Sequence, residues 1–260
     1  MKNFLHLLKK WIFPIVGLLL LIIVLVMATM KQKAVVCKEV EINFEPKGII
    51  YFLSQEHVLE IASHITNPNE LKGKTLKQLK TYQMLYNLQS SPYIEKANIF
   101  LGNDGKLVID VKQREPLFRV VNQQGESYYV EKNGLKIPTV PNYSVRVPVL
   151  SGAVDEAAND SNYIHTEILL GALELFTYTH AYPFWQAQIE QVYVDKNQGF
   201  LLIPKVGNHT IVVGKPTQIE TKLEKLKLFY NQALSKIDWD DYSVIDLRFD
   251  GQIVAKKRNQ

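Results

Sequence analysis

A few residues in this 260-residue chain have side chains that could do chemistry, and their spacing decides whether they can. His57 and His64 lie two helical turns apart on one expected helix, about 10 Å by the helical rise, too far to share one metal ion. Asp238, Asp240 and Asp241 crowd around Trp239. Three carboxylates suit calcium, but the segment lacks the glycine and the distal glutamate of an EF-hand loop, so it reads as a solvated turn. The single cysteine, Cys37, excludes an internal disulfide framework and a cysteine-based zinc site. Ser151-Gly152 lacks the preceding glycine of a nucleophile elbow. Gly207 to Thr217 has the wrong spacing for a phosphate loop, and Pro216 follows Lys215 where Ser or Thr should stand. No H-E-x-x-H occurs. These patterns point away from an enzyme and imply no cofactor, metal or small-molecule substrate.

The elements around these residues read more clearly. Trp11 to Met30 is an uncharged apolar run, roughly 30 Å long as a helix, which matches the hydrocarbon thickness of a bilayer. It is longer than a signal-peptide core and no A-x-A site follows. The expectation is a single transmembrane helix over 11–30 behind a cytoplasmic tail of residues 1–10. Lysines flank the run almost equally, so the short tail sets the N-in, C-out orientation. Lys2, Lys9 and Lys10 account for three of the 30 Lys+Arg, leaving 27 against 26 Asp+Glu beyond the span. That balance offers no basic field for nucleic acid. Lys256, Lys257 and Arg258 read as a solvated tail, residues 256–260.

Val35 to Phe44 alternates as a strand, with Cys37, Glu39, Glu41 and Asn43 on its polar face. Ser54 caps a helix to about His64. Thr75 and Gln78 form a capping box for a helix to about Gln89 that buries Leu76, Leu79, Leu85, Tyr86 and Leu88. A hairpin follows, Ala97 to Leu101 and Leu107 to Val111, turning at Gly102 to Gly105. The order strand-helix-helix-strand-strand over 35–113 is a small α+β domain.

From 114 to 255 the pattern predicts a mixed β domain with flanking helices. Strands are expected at Leu117–Val121, Ser127–Val130, Leu135–Ile137, Val145–Leu150, Gln188–Asp195, Phe200–Pro204 and Thr210–Val213. Helices are expected at His165–Tyr178 and behind a Thr217/Glu220 capping box. Ala153 to Asn162 reads as a loop. Tyr242 to Phe249 closes the chain as a strand, with Ile245, Leu247 and Phe249 facing the core and Val244, Asp246 and Arg248 facing away.

Four segments in order resemble the FtsQ/DivIB family of bacterial cell-division proteins, most closely its Bacteroidetes-type members. They are Ser91-Pro92-Tyr93-Ile94-Glu95-Lys96-Ala97; Leu107 to Pro116, similar to L-x-V-x-V-x-x-R-x-P; Gly125 to Gly152 with Val147-Pro148-Val149-Leu150; and Val244 to Gly251, similar to V-D-L-R-Y-D with Phe249 in place of Tyr. The resemblance implies a POTRA domain over 35–113 that helps localise the protein to the septum. It implies a non-catalytic divisome scaffold of the inner membrane, its bulk in the periplasm, that binds the extracytoplasmic parts of FtsB- and FtsL-like bitopic proteins. It also implies that the closing strand receives an FtsB-like strand by edge addition, which points to Tyr242, Val244, Asp246, Arg248, Phe249 and Gly251 as partner-binding residues. A terminal strand with unpaired backbone groups suits that role, and Gly251 lets the chain bend at its end. Arg114 reads better as a salt-bridge residue. The competing reading, a POTRA component of protein export or outer-membrane assembly, would call for POTRA repeats or a downstream barrel, and neither is seen.

Overall fold

The computed structural model describes residues 14–26, 35–45, 52–141, 143–234 and 239–258. Residues 14–26 form helix α1, whose apolar side chains are exposed. No helix among the described residues is long and apolar enough to cross a membrane. The ends of the expected span, Trp11 and Met30, and the expected tail 1–10 lie outside the described residues. The chain divides into two compact units at Gln113/Arg114.

The first unit carries a three-stranded sheet in the order β1-β3-β2. Strand β1 (Glu39–Glu45) runs parallel to the central β3 (Lys106–Gln113), and β2 (Ile94–Leu101) runs antiparallel to it. Period-two alternation puts Leu107, Ile109, Val111 and Gln113 of β3 inside. They are joined there by Val58, Leu59 and Ala62 of α2 (Gln55–Ser63). Ser54 caps α2, and His57 closes a reciprocal capping box with it.

Two expectations fail in this unit. Cys37 precedes β1 and is buried, because its backbone pairs with Gly73 and Lys74 rather than continuing the strand. The helix expected from Thr75 to Gln89 breaks at Lys80, which adopts a left-handed conformation (φ 52°, ψ 47°) between α3 (Leu76–Leu79) and α4 (Thr81–Gln89). The break resets the helical phase. Leu79, Met84 and Leu88 are buried, while Leu76 and Tyr86, expected in the core, are exposed.

The second unit is a nine-stranded mixed sheet in the order β12-β11-β10-β9-β8-β7-β4-β5-β6. Its chain order is β4 (Pro116–Val121), β5 (Ser127–Glu131), β6 (Lys136–Pro138), β7 (Val149–Gly152), α5 (Glu167–Ala181) and α6 (Pro183–Gln188). β8 (Ile189–Asp195), β9 (Gly199–Pro204), β10 (Thr210–Gly214), α7 (Ile219–Phe229), β11 (Tyr242–Asp246) and β12 (Val254–Lys257) follow. Val192, Val194, Phe200, Leu202, Ile211, Val213 and Ile245 share one core with Leu169, Ala172, Leu175 and Phe176 of α5, Trp185 of α6, and Leu223 and Leu226 of α7. The alternate residues Tyr193 and Ile203 remain exposed, so the helices cover one sheet face.

Here too the expectations need correction. The Thr217/Glu220 capping box does not form; Gln218 occupies the cap in a left-handed conformation with no side-chain bond to the helix. β7 starts at Val149, later than the expected Val145. Most consequentially, the expected closing strand Tyr242–Phe249 stops at Asp246. The chain turns through Phe249 to Gly251 (φ 71°) and returns as β12, which takes in Lys256 and Lys257 of the expected tail.

Candidate partner-binding edge

β11 is not an edge. It pairs parallel with β10 through Thr210–Val244, Ile211–Ile245 and Val212–Asp246. On its other side it pairs antiparallel with β12 through Val244–Lys256, Ile245–Ala255 and Asp246–Val254. Both backbone sides of Val244 to Asp246 are therefore engaged, and among the described residues the edge at this end of the sheet is β12. A strand cut short at Asp246 and doubled back was not legible as one alternating run, because Leu247 and Phe249 keep the pattern going past the point where pairing ends.

The site residues expected from sequence divide accordingly. Asp246 and Arg248 hold each other: Arg248 Nη2 donates to Asp246 Oδ2 at 2.6 Å, and Nε lies 3.0 and 3.1 Å from the two oxygens. Burial works against ionisation of Asp246, but the Arg248 bonds prevail and keep its carboxyl below the usual range. Arg248 lies across Gly214, where a β-carbon would stand 2.7 Å from Arg248 Cγ. This pair staples the end of β11. Phe249 is 44% exposed at the turn, and its carbonyl accepts from Lys225 Nζ at 3.0 Å. Tyr242, the first residue of β11, packs against the core beside Phe229 and so ties the start of the strand to it.

β12 is held along its length. Ser243 Oγ donates to the Lys256 carbonyl at 3.2 Å, and the Arg258 amide donates to the Asp241 carbonyl at 2.8 Å. Arg258 Nη2 donates to the Asn208 carbonyl at 2.7 Å, and the Asn208 amide donates to Asp240 Oδ1 at 3.1 Å. Beneath that loop His209 and Tyr230 share a buried 2.8 Å hydrogen bond, and Trp239 packs on Tyr230. Burial lowers the proton affinity of His209. The result is a firmly seated edge strand whose outer backbone groups have no strand partner among the described residues. Its side chains Val254, Lys256 and Lys257 are exposed. At the opposite end of the sheet, β6 is three residues long and ends in Pro138, which has no N–H to offer a new strand.

The other chemistry-bearing residues fall into structural roles. The Cys37 thiol donates to the Glu39 carbonyl, and burial pushes it away from the reactive thiolate form. His57 serves the α2 cap and His64 ends that helix. Of the aspartates near Trp239, Asp238 lies outside the described residues. Arg114 Nη1 pairs with Glu131 at 3.0 Å, the role expected for it.

One cluster escaped the sequence reading. Glu156, within the expected loop Ala153–Asn162, is wholly buried and accepts from Lys136 Nζ at 2.9 Å and from the Thr166 amide at 2.9 Å, at the start of α5. Asp160 also pairs with Lys136, and His165 Nδ1 lies 3.4 Å from Glu156. Glu156, Asp160 and His165 have the spacing of metal ligands. The Lys136 ammonium already sits between the two carboxylates, so the cluster carries its own cation. Burial opposes ionisation of Glu156, yet Lys136 and the His165 and Thr166 groups just before α5 keep its carboxyl below the usual range. Lys136 does the same for Asp160. A lysine between Leu135 and Ile137 in a strand was the available signal, but its partner lies in a segment with no periodicity.

The comparisons agree with this architecture. Residues 35–112 match the model of the POTRA-like domain. A relative, "Cell division protein FtsQ" of Salinibacter ruber (strain DSM 13855 / M31), is 28% identical over 159 residues, 59% of this chain and 60% of that protein. Residues 115–256, from β4 through nearly all of β12, match the model described as FtsQ/DivIB, C-terminal related. With more than half its length in that match, the chain belongs to the FtsQ/DivIB, C-terminal related family.

Proposed function

We propose that this protein is a non-catalytic cell-division scaffold that captures a partner strand on the outer edge of β12. The observation that carries the reading is β12, seated on β11 and with no strand on its outer side among the described residues, at the end of the sheet that matches the family. An extended partner segment would gain backbone hydrogen bonds there, while alternating side chains would set selectivity. Lys256 and Lys257 of β12 are exposed, so an acidic segment fits this edge best. The partner of choice is the extracytoplasmic part of an FtsB-like bitopic protein, with an FtsL-like protein in the same assembly. The six residues expected to bind it take a new place in this reading: Tyr242, Val244, Asp246 and Arg248 support β12, and Phe249 and Gly251 form the turn that delivers it.

The reading includes an inner-membrane anchor over Trp11 to Met30, supported by the uncharged run and by the exposed apolar surface of α1. The bulk of the chain then lies in the periplasm, and anchoring in a plane raises the effective concentration of other anchored partners. Depletion of the protein in its host, with microscopy of a fluorescent fusion, tests the role. The expected result is filaments without septa and a fusion concentrated at midcell. Normal division with a uniform membrane signal would remove it.

A further inference from the structure

The first unit holds a groove of about 400 Å³ between the end of α2 and the α3–α4 break. Its floor is apolar, with Ile65, Leu71, Leu79 and Met84, and its basic lining is His64, Lys74 and Lys80. No aspartate or glutamate lines it, although Glu60 and Glu70 are close in sequence. Among the described residues neither Lys74 nor Lys80 enters an ion pair, whereas Lys106 and Lys112 of the same unit do.

The backbone supplies an independent observation. Three non-glycine residues among those described have left-handed φ angles, and two of them, His64 (56°) and Lys80 (52°), line this groove. Each such residue costs about 1 kcal/mol, which glycine would avoid. Asparagine also tolerates this position better. Strained conformations of this kind cluster at binding sites. At both positions the sequence keeps a long basic or imidazole side chain where a smaller residue would fold more easily.

We propose that this groove binds an acidic peptide segment of a partner protein, with an apolar side chain against the half-buried Ile65 above Leu79 and Met84, and carboxylates against Lys74 and Lys80. The volume lies within the usual range for a specific site, and an uncompensated basic lining over an apolar floor selects alternating acidic and apolar residues. This site is separate from β12, and its test does not depend on strand capture.

Met84 is the groove's own reporter, since the other methionines are Met1, Met27 and Met30. The full chain, methyl-labelled at methionine and held in phosphatidylcholine nanodiscs, is titrated with a blocked hexapeptide of alternating Leu and Glu. A saturable shift of the Met84 methyl signal is expected. Lys74→Glu with Lys80→Glu should weaken binding about tenfold, with the melting temperature unchanged. Lys80→Gly should weaken it about two- to fivefold without lowering the melting temperature. Three results would overturn the proposal: no shift, an equal shift with Leu/Gln or Leu/Lys peptides, or a shift produced by phosphatidylglycerol in the nanodisc in place of the peptide. The last would reassign the groove to anionic lipid.

Discussion

The Arg248 guanidinium grips the Asp246 carboxylate in a two-oxygen fork at the point where β11 ends, and the same arginine covers Gly214 of β10. The pair fixes where the chain leaves β11 and so where β12 begins. Asp246→Asn should lower stability by about 1–2 kcal/mol, as expected for losing a charge-assisted bond to a partly exposed arginine. Chemical denaturation read by circular dichroism checks this. The folded-state pKa of Asp246 is depressed, so its contribution is full above the unfolded value, about 3.9, and is lost as pH falls through the folded one.

Lys136 and Glu156 form a buried pair, with side-chain exposures of 4% and 0%. Removing one member leaves a buried charge uncompensated, so Lys136→Met should destabilise the protein by about 3–5 kcal/mol. Glu156→Gln should cost less, because an amide oxygen can still accept from Thr166. Glu156 and Asp160 are both depressed, so wild-type stability should fall with acidification through their folded values. That fall should be shallower in Glu156→Gln. Thermal melts between pH 3 and pH 7 read both effects.

Gly171 tests a close approach between helix and loop. A β-carbon there would stand 2.1 Å from Pro216 Cβ. Glycine-to-alanine inside a helix ordinarily stabilises by about 1 kcal/mol. In α5 the overlap should reverse the sign, and Gly171→Ala should destabilise by about 1–3 kcal/mol in a denaturant titration.

Gln113 is a buried staple in the first unit. Its Oε1 accepts from the amides of Phe52 and Leu53 at 2.9 Å each, which positions the start of α2. Gln113→Leu would leave both donors buried without that acceptor and should cost about 2–3 kcal/mol. Amide exchange at 52–53 should accelerate before that of the β3 core.

The parts of the fold that were legible in the sequence are those set by local chemistry. The Ser54 cap, the Thr75/Gln78 box and the alternation of Leu107, Ile109 and Val111 depend on neighbours within four residues, and all are present. The failures share another cause. Lys80 breaks a helix with no glycine or proline to announce it. Lys136 and Glu156 meet across 20 positions, beyond any periodicity. β12 was hidden because Val254 to Lys257 is short and half basic, and only pairing with β11 makes it a strand. The sequence therefore pointed to the right end of the sheet but took β11 for its last strand, where β12 lies outside it.

Capture of a partner strand by β12 requires outward-facing N–H groups on that strand. Successive residues of a strand point their N–H groups to opposite sides, so of Val254 and Ala255 one faces β11 and the other faces outward. Proline at each position in turn separates the two roles, and the measurement is capture of the purified FtsB-like extracytoplasmic segment by the full-length chain. The outward proline should weaken capture about tenfold or more with the melting temperature unchanged, while the inward proline should lower the melting temperature by loosening β12 from β11. Undiminished capture by both variants would contradict the assignment of β12 as the binding edge.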